Sequence, residues 1–215
     1  MNSDNLYVVI QAVSEEIKSL DGRQRYVGIS ALAREALVCS AKLGGITAMK
    51  FTKDERGVPQ PTSGVYWSVS HADGFVAAVT ATQPIGVDIE KIDTFSRVLR
   101  ERIADDGEWH LLKEVTPLSL YTLWTAKEAV LKAETIGLEG LGDCRIVAKQ
   151  AEDRLQVKYR SNNWTVRYKE VPHGYIAAVT DIGLPVIWYC LPISGYKQTI
   201  PAYSPPASLS FSKKW

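Results

Sequence analysis

A chain of 215 residues, 46% hydrophobic and 23% charged, carries enough apolar material for one large or two small cored domains, which argues against a largely disordered polypeptide. Its 25 basic and 24 acidic residues leave a formal net charge of +1, so a bulk nucleic-acid or membrane-surface binder is not expected and any charge-based recognition must be local. Cys39, Cys144 and Cys190 lie far apart and lack metal-ligand spacing; each reads as a small buried hydrophobe, in keeping with a reducing compartment. The opening "MNSDNLYVVIQAVSEEIKSL" is unlike a signal peptide, and no run reaches the roughly 18 apolar residues of a membrane span. A cytoplasmic location is expected.

In chain order, a strand is predicted over Tyr7 to Val13. A helix follows over Gln24 to Leu43, where Tyr26, Ile29, Leu32, Ala33, Ala36, Leu37 and Ser40 keep helical spacing, and Gly44-Gly45 ends it. A short strand near Met49 to Thr52 leads into the Gly/Pro loop "KDERGVPQP". Strands are then predicted near Tyr66 to Ser70, Phe75 to Thr82 and Gly86 to Glu90. The stretch "TFSRVLRERIA" is helical, "DDGEWHLLKEV" is a polar segment, and Pro117 precedes a long helix, Ser119 to Thr135. Beyond the glycines at 137, 140 and 142, strands are predicted near Cys144 to Ala148, Leu155 to Tyr159, Trp164 to Glu170, Tyr175 to Thr180 and Val186 to Leu191. The Pro/Ser-rich ending "PAYSPPASLSFSKKW" reads as a loose tail.

Strands and helices are grouped rather than strictly alternating, which points to an α+β fold. "DGFVAAVT" at residues 73 to 80 recurs as "HGYIAAVT" at 173 to 180, an offset of about half the chain that suggests two related halves.

Three stretches could carry chemistry. In "PIGVDIEKID", Ile85, Val87 and Ile89 alternate with Gly86, Asp88 and Glu90, so both carboxylates project from one face of a strand. They are either a solvated face eased by Lys91 or two ligands for a hard cation, since adjacent carboxylates repel unless a proton or metal sits between them. In "SLYTLWTAKEAVLKAE", Trp124, Glu128 and Lys132 fall at i, i+4 and i+8 and form one helix stripe; Glu128 and Lys132 also suit an ordinary surface pair. In "WSVSHADG", Ser70 and His71 are strand neighbours that point to opposite faces, with no nucleophile elbow around the serine. They suit a structural turn or hydrogen bonds to an anion better than a hydrolase pair. "GLEGLGD" follows a helix and precedes a strand, the wrong order for a dinucleotide fingerprint, and no Walker loop occurs.

The series "GVP" at 57 to 59, "WSVSH" at 67 to 71, "PIGVDIE" at 84 to 90 and "WTAKEAVLK" at 124 to 132 resembles the Sfp-type, monomeric 4'-phosphopantetheinyl transferases. The likeness covers about residues 20 to 180. It implies that family's α+β fold, with two similar subdomains related by pseudo-two-fold symmetry. The N-terminal half would be 1–93 and the C-terminal half 94–195, with a C-terminal extension at 196–215. It also implies transfer of 4'-phosphopantetheine from coenzyme A to a serine of an acyl or peptidyl carrier protein, by magnesium-dependent phosphoryl transfer.

Matched by motif, Asp88, Glu90 and Glu128 are the implied metal ligands. Glu128 is also the candidate general base, with Lys132 offsetting phosphate charge and Lys127 a weaker candidate for the same region. Arg25, Gly57, Pro59, Ser70, His71, Asp88 and Lys132 are the implied coenzyme A contacts, and Arg34 is a looser match.

Two positions depart from the family pattern: Val58 stands where the family has a lysine and Ser68 where it has an asparagine. Lys53 and Arg56 are candidates to replace the lost charge. Carrier docking is expected within residues 108 to 120, with Trp109, Leu111, Leu112 and Lys113 as candidates or, equally, a core-facing turn. The competing readings are another magnesium-dependent phosphotransferase or phosphohydrolase, and a non-catalytic coenzyme A or carrier-binding protein.

Overall fold

The computed structural model describes residues 4–47 and 50–191, so the Pro/Ser-rich extension 196–215 lies outside the described residues. Strand β1 (Leu6–Ala12) is flanked by β11 (Val186–Leu191), parallel to it, and β5 (Phe75–Ala81), antiparallel. Strand β4 (Tyr66–Ala72) completes this first sheet beside β5. The second sheet is antiparallel in the order β6 (Val87–Lys91), β10 (Tyr175–Thr180), β9 (Asn162–Val171), β8 (Arg154–Tyr159), β7 (Cys144–Ala151). The two sheets pack face to face, with helix α2 (Gly22–Leu43) on the outside of the first and α5 (Pro117–Ala133) on the outside of the second.

Alternation along the strands explains this layering. Tyr7 and Val9 of β1 face α2, whereas Leu6, Val8 and Ile10 face the second sheet. The sequence echo marks the two strands that repeat this design. Ala78 of β5 lies under α2 and Ala178 of β10 under α5, while Ala77 and Ala177 meet in the layer between the sheets. Small side chains on both faces of these strands let a helix and a sheet approach closely. Each sheet draws strands from distant parts of the chain: β6 pairs with β10, and β11 pairs with β1.

Element boundaries differ modestly from expectation. Helix α5 starts two residues before Ser119 because Pro117 suits the first helical turn and Thr116 caps it, in a reciprocal box with Ser119. The expected strand at 49 to 52 falls partly on undescribed residues. Its described part is β2 (Thr52–Lys53), paired with β3 (Pro59–Gln60). The short helix α1 (Glu15–Ser19) went unrecognised, and "TFSRVLRERIA" forms α3 (Arg97–Ile103). The polar segment at 105 to 115 contains α4 (Asp106–Leu111), started by a capping box of Asp105 and Glu108.

The surroundings of helix α4 settle one open reading and overturn one expectation. Trp109 is 4% exposed and donates its indole N–H to Ala104 O at 3.1 Å, so it is core rather than docking surface. Lys127 sits away from the phosphate region: at 2% exposure it pairs with Glu108 Oε1 at 2.7 Å and donates to Ile103 O at 2.6 Å. Its helical position, one residue before Glu128, turns it about 100° from the site stripe and into the core. Glu108 Oε1 also accepts from Ile146 N at 2.8 Å, so one buried pair ties α4, α5 and β7 together.

Removing one partner strands the other charge, so Lys127→Met is expected to cost about 3–5 kcal/mol, with much of the loss recovered in the Lys127→Met/Glu108→Leu double variant. Urea unfolding of the three chains measures this. Equal stability of Lys127→Met and the parent would contradict the pairing.

Cys39 and Cys144 are buried, and burial raises their thiol pKa to about 11 and about 12. No helix among the described residues is long and apolar enough to cross a membrane.

Candidate functional site

Strands β4 and β6 and helix α5 converge where the two sheets meet. On β4, Ser68 and Ser70 turn toward β6. Ser68 Oγ accepts the Val87 N–H at 3.1 Å, and Ser70 Oγ donates to Asp88 Oδ1 at 2.7 Å. Gly86 N donates to Thr180 Oγ1 at 3.0 Å, while the Thr180 N–H returns to Gly86 O at 3.0 Å. The start of β6 is therefore held from both sides before its first carboxylate appears. The family's asparagine position is filled here by a serine that serves as a backbone acceptor.

Gly86 is required by proximity. A Cβ there would lie 1.8 Å from Ala129 O and 2.7 Å from Ala133 N, so the strand rests against the backbone of α5 itself. That contact brings the Glu128 and Lys132 stripe to Asp88. Asp88 is 2% exposed, and its Oδ1 receives Lys132 Nζ at 2.6 Å in addition to Ser70. Its Oδ2 is buried and has no hydrogen-bond partner, and the same holds for Glu128 Oε1.

Three carboxyls thus face one ammonium. The Glu128 pKa is raised to about 7, first by burial, then by Asp88, with Lys132 opposing and Glu90 adding. Glu90 is also raised, by burial and Asp88, against the Trp124 hydrogen bond and Lys132. Its Oε1 accepts the indole N–H of Trp124 at 3.2 Å. Among the described residues, no group of three His, Cys, Asp or Glu side chains is assembled to hold a metal ion unaided.

A groove of about 550 Å³ opens beside Lys132 and runs along the β2–β3 loop, lined by Lys53, Arg56, Gly57, Val58 and Pro59 and by Glu139 across from them. Asp54 folds the loop by accepting the N–H groups of Arg56 and Val58, both at 2.9 Å, and Gly57 adopts φ +81°, a left-handed conformation suited to glycine. Lys53 and Arg56 line the same groove as Val58, so the charge missing at 58 has two neighbours able to supply it.

The remaining sequence candidates take distinct places. His71 points to the opposite face from Ser70, as strand alternation requires. Desolvation first, then Lys132 and Lys53, holds its imidazole pKa below the ordinary value, against Asp73 and Asp88. Arg25 pairs with Asp73 at 3.3 Å, just past His71 in the chain, and is not among the groove-lining residues. Arg34 is exposed and reaches Phe51 O at 3.5 Å. Sequence reasoning missed Gly86 as a helix contact, Ser68 as an acceptor, Thr180 as a clamp and the Trp124 N–H. The glycine within an apolar strand and the tryptophan on the Glu128 stripe were the visible signals.

Residues 84–180 match the family model of the 4'-phosphopantetheinyl transferase superfamily. The chain is 30% identical over 87 residues to 4'-phosphopantetheinyl transferase gsp of Aneurinibacillus migulanus, covering 39% of this chain and 37% of that one. It is 29% identical over 139 residues to 4'-phosphopantetheinyl transferase ffp of Bacillus subtilis, and 27% identical over 139 residues to 4'-phosphopantetheinyl transferase Sfp of Bacillus subtilis strain 168; each match covers 61% of this chain and 62% of the relative. The chain therefore spans less than two thirds of the length of these relatives. The resemblance read from the four motifs is borne out by these matches.

Proposed function

We propose that this chain is a 4'-phosphopantetheinyl transferase that moves the phosphopantetheine arm of coenzyme A onto a serine of an acyl or peptidyl carrier protein, releasing adenosine 3',5'-bisphosphate. The observation that carries this reading is the convergence of Asp88, Glu90, Glu128 and Lys132 beside a groove flanked by Lys53 and Arg56. The matched superfamily region holds all four site residues.

The donor set suits magnesium. Asp88 Oδ2 and Glu128 Oε1 are hard oxygens, buried and unpaired, and magnesium is typically held by one or two carboxylates completed by water and substrate phosphate rather than by an all-protein cage. Asp88, Glu90 and Glu128 would hold it. When bound, the ion would offset phosphate charge and make the phosphorus under attack more electrophilic.

The chain's own residues divide the remaining work. Glu128 is the general base that takes the proton of the carrier serine hydroxyl, directly or through one water. Lys132 leaves its single-point contact on Asp88 within reach of the pyrophosphate and offsets charge as the P–O bond to the leaving group lengthens. Lys53 and Arg56 steer the nucleotide phosphates into the groove, with Gly57 and Pro59 shaping its wall; Arg25, tied to Asp73, stays outside that lining. Ser70 acts chiefly by orienting Asp88.

The two sheet-and-helix units, each giving its last strand to the other's sheet, support a pseudo-two-fold relation between halves 1–93 and 94–195. A monomer as the working unit is the expectation that the motif resemblance carries. The unpaired thiols suit a cytoplasmic enzyme.

Incubation with coenzyme A, Mg²⁺ and apo carrier proteins, followed by intact-mass measurement, is expected to show the phosphopantetheine increment on the carrier. Asp88→Ala should abolish it, and Arg34→Ala should leave it unchanged. Absence of the increment across fatty-acid, polyketide and nonribosomal-peptide carriers would refute the assignment, as would coenzyme A breakdown that proceeds equally without a carrier.

A further inference from the structure

Glu90 is held in a different way from its neighbour on β6. Asp88 is gripped by an ammonium and a hydroxyl, whereas the hydrogen bond described on the Glu90 side chain comes from the neutral indole N–H of Trp124, 34 residues away on α5. Trp124 lies one helical turn before Glu128 on the same stripe, and its ring packs against the core beneath α5. Glu90 is partly exposed and shares a strand face with Asp88. An untethered Glu at that place would turn its carboxylate to water, away from the like charge, and gain rotamer freedom. With Lys132 already offsetting the charge of Asp88, a second cationic tether on Glu90 would further reduce the net negative charge offered to a metal. An indole N–H holds the oxygen and leaves the charge in place.

We infer that Trp124 is a positioning residue that presets Glu90 beside Asp88, and so sets the affinity of the acidic site for a divalent cation. This rests on the metal reading above and deepens it. The unpartnered Oδ2 of Asp88, on a side chain 2% exposed, is the independent sign that the acidic group is arranged for a ligand. Glu90 would be ordered before the ion arrives, as outer partners of metal ligands commonly ensure.

The test titrates Mg²⁺ into wild type, Trp124→Phe, Glu90→Ala and the double variant, each saturated with coenzyme A and without a carrier protein, read by calorimetry. Trp124→Phe keeps the aromatic ring and removes the N–H. It is expected to weaken Mg²⁺ binding by about 10–100-fold. In the Glu90→Ala background the same change should add less than about twofold. In the transfer assay, its KM for Mg²⁺ should rise by a larger factor than kcat falls.

An unchanged Mg²⁺ affinity in Trp124→Phe overturns the inference, and so does an equal loss in the Glu90→Ala background, which marks a packing effect. A wild-type chain that binds no Mg²⁺ overturns the metal reading together with the inference. If Trp124→Phe does not fold, the indole N–H resonances of the wild-type chain replace it. Glu90→Gln identifies the Trp124 resonance, and Mg²⁺ added with coenzyme A must move that same resonance; if it stays in place, the inference is overturned.

Discussion

Glu128→Gln is expected to lose carrier modification while making the metal-free protein more stable above pH 7. An unfolded Glu has a pKa of 4.5, whereas the folded Glu128 carboxyl has a value raised to about 7, by burial and by Asp88 before other causes. The folded state therefore keeps a proton that the unfolded state has released between those two values. The contribution of Glu128 to stability is fully present below about pH 4.5, declines as pH rises and is lost above about pH 7. Gln has the same shape and no charge to desolvate. After allowance for solvent at the partly exposed carboxyl, the gain at pH 8 should be on the order of 1–2 kcal/mol, a rise in Tm of roughly 2–8 °C.

Melting curves in chelator at pH 5 and pH 8 check this, because the difference between the two chains should shrink at the lower pH. Transfer by Glu128→Gln should fall by at least about 100-fold, the lower range of general-base effects. A variant that is both active and no more stable would contradict the role and the electrostatics together. Mg²⁺ with coenzyme A should reverse the stability order, since only wild type offers the third carboxylate.

Gly86→Ala is expected to be the most disruptive one-methyl change in the molecule. The added Cβ would stand 1.8 Å from Ala129 O and 2.9 Å from Ala129 C, both backbone atoms of α5 that no side-chain rotation can clear. Either β6 or the helix must retreat. Overpacking of this kind costs about 1–3 kcal/mol and sometimes more. The functional loss should exceed the stability loss, because the retreat separates Lys132 and Glu128 from Asp88, where the ion pair now closes at 2.6 Å. A displacement near 1 Å is enough for a loss of about 100-fold in rate. A folded Gly86→Ala chain with wild-type transfer would show that α5 and β6 do not meet as closely as described.

Much of this architecture was readable from local pattern. The two-residue period of Ile85, Val87 and Ile89 placed Asp88 and Glu90 on one face, and the 3.6-residue period placed Trp124, Glu128 and Lys132 on one stripe. Alternation also separated Ser70 from His71. The echo at 73 to 80 and 173 to 180 marked one interior strand in each sheet. Each of these follows from repeat geometry within a single element, which the chain encodes without reference to distant residues.

Long-range partners were not readable in the same way. Lys127 and Glu128 are neighbours of opposite charge, and their sequence alone does not say which enters the core. Glu108 on α4 decides it, because a buried ammonium needs a carboxylate within hydrogen-bond reach and Glu108 supplies one at 2.7 Å. Trp109 was divided between docking surface and core until Ala104 O accepted its N–H. The sequence by itself determined most of the longer elements, the faces of β6 and α5 that carry the site, and the motifs. Only the tertiary structure decided which charges pair and which carboxylate oxygens stay unsatisfied, since hydrogen-bond reach and desolvation depend on atoms brought together across 18 to 44 residues of chain.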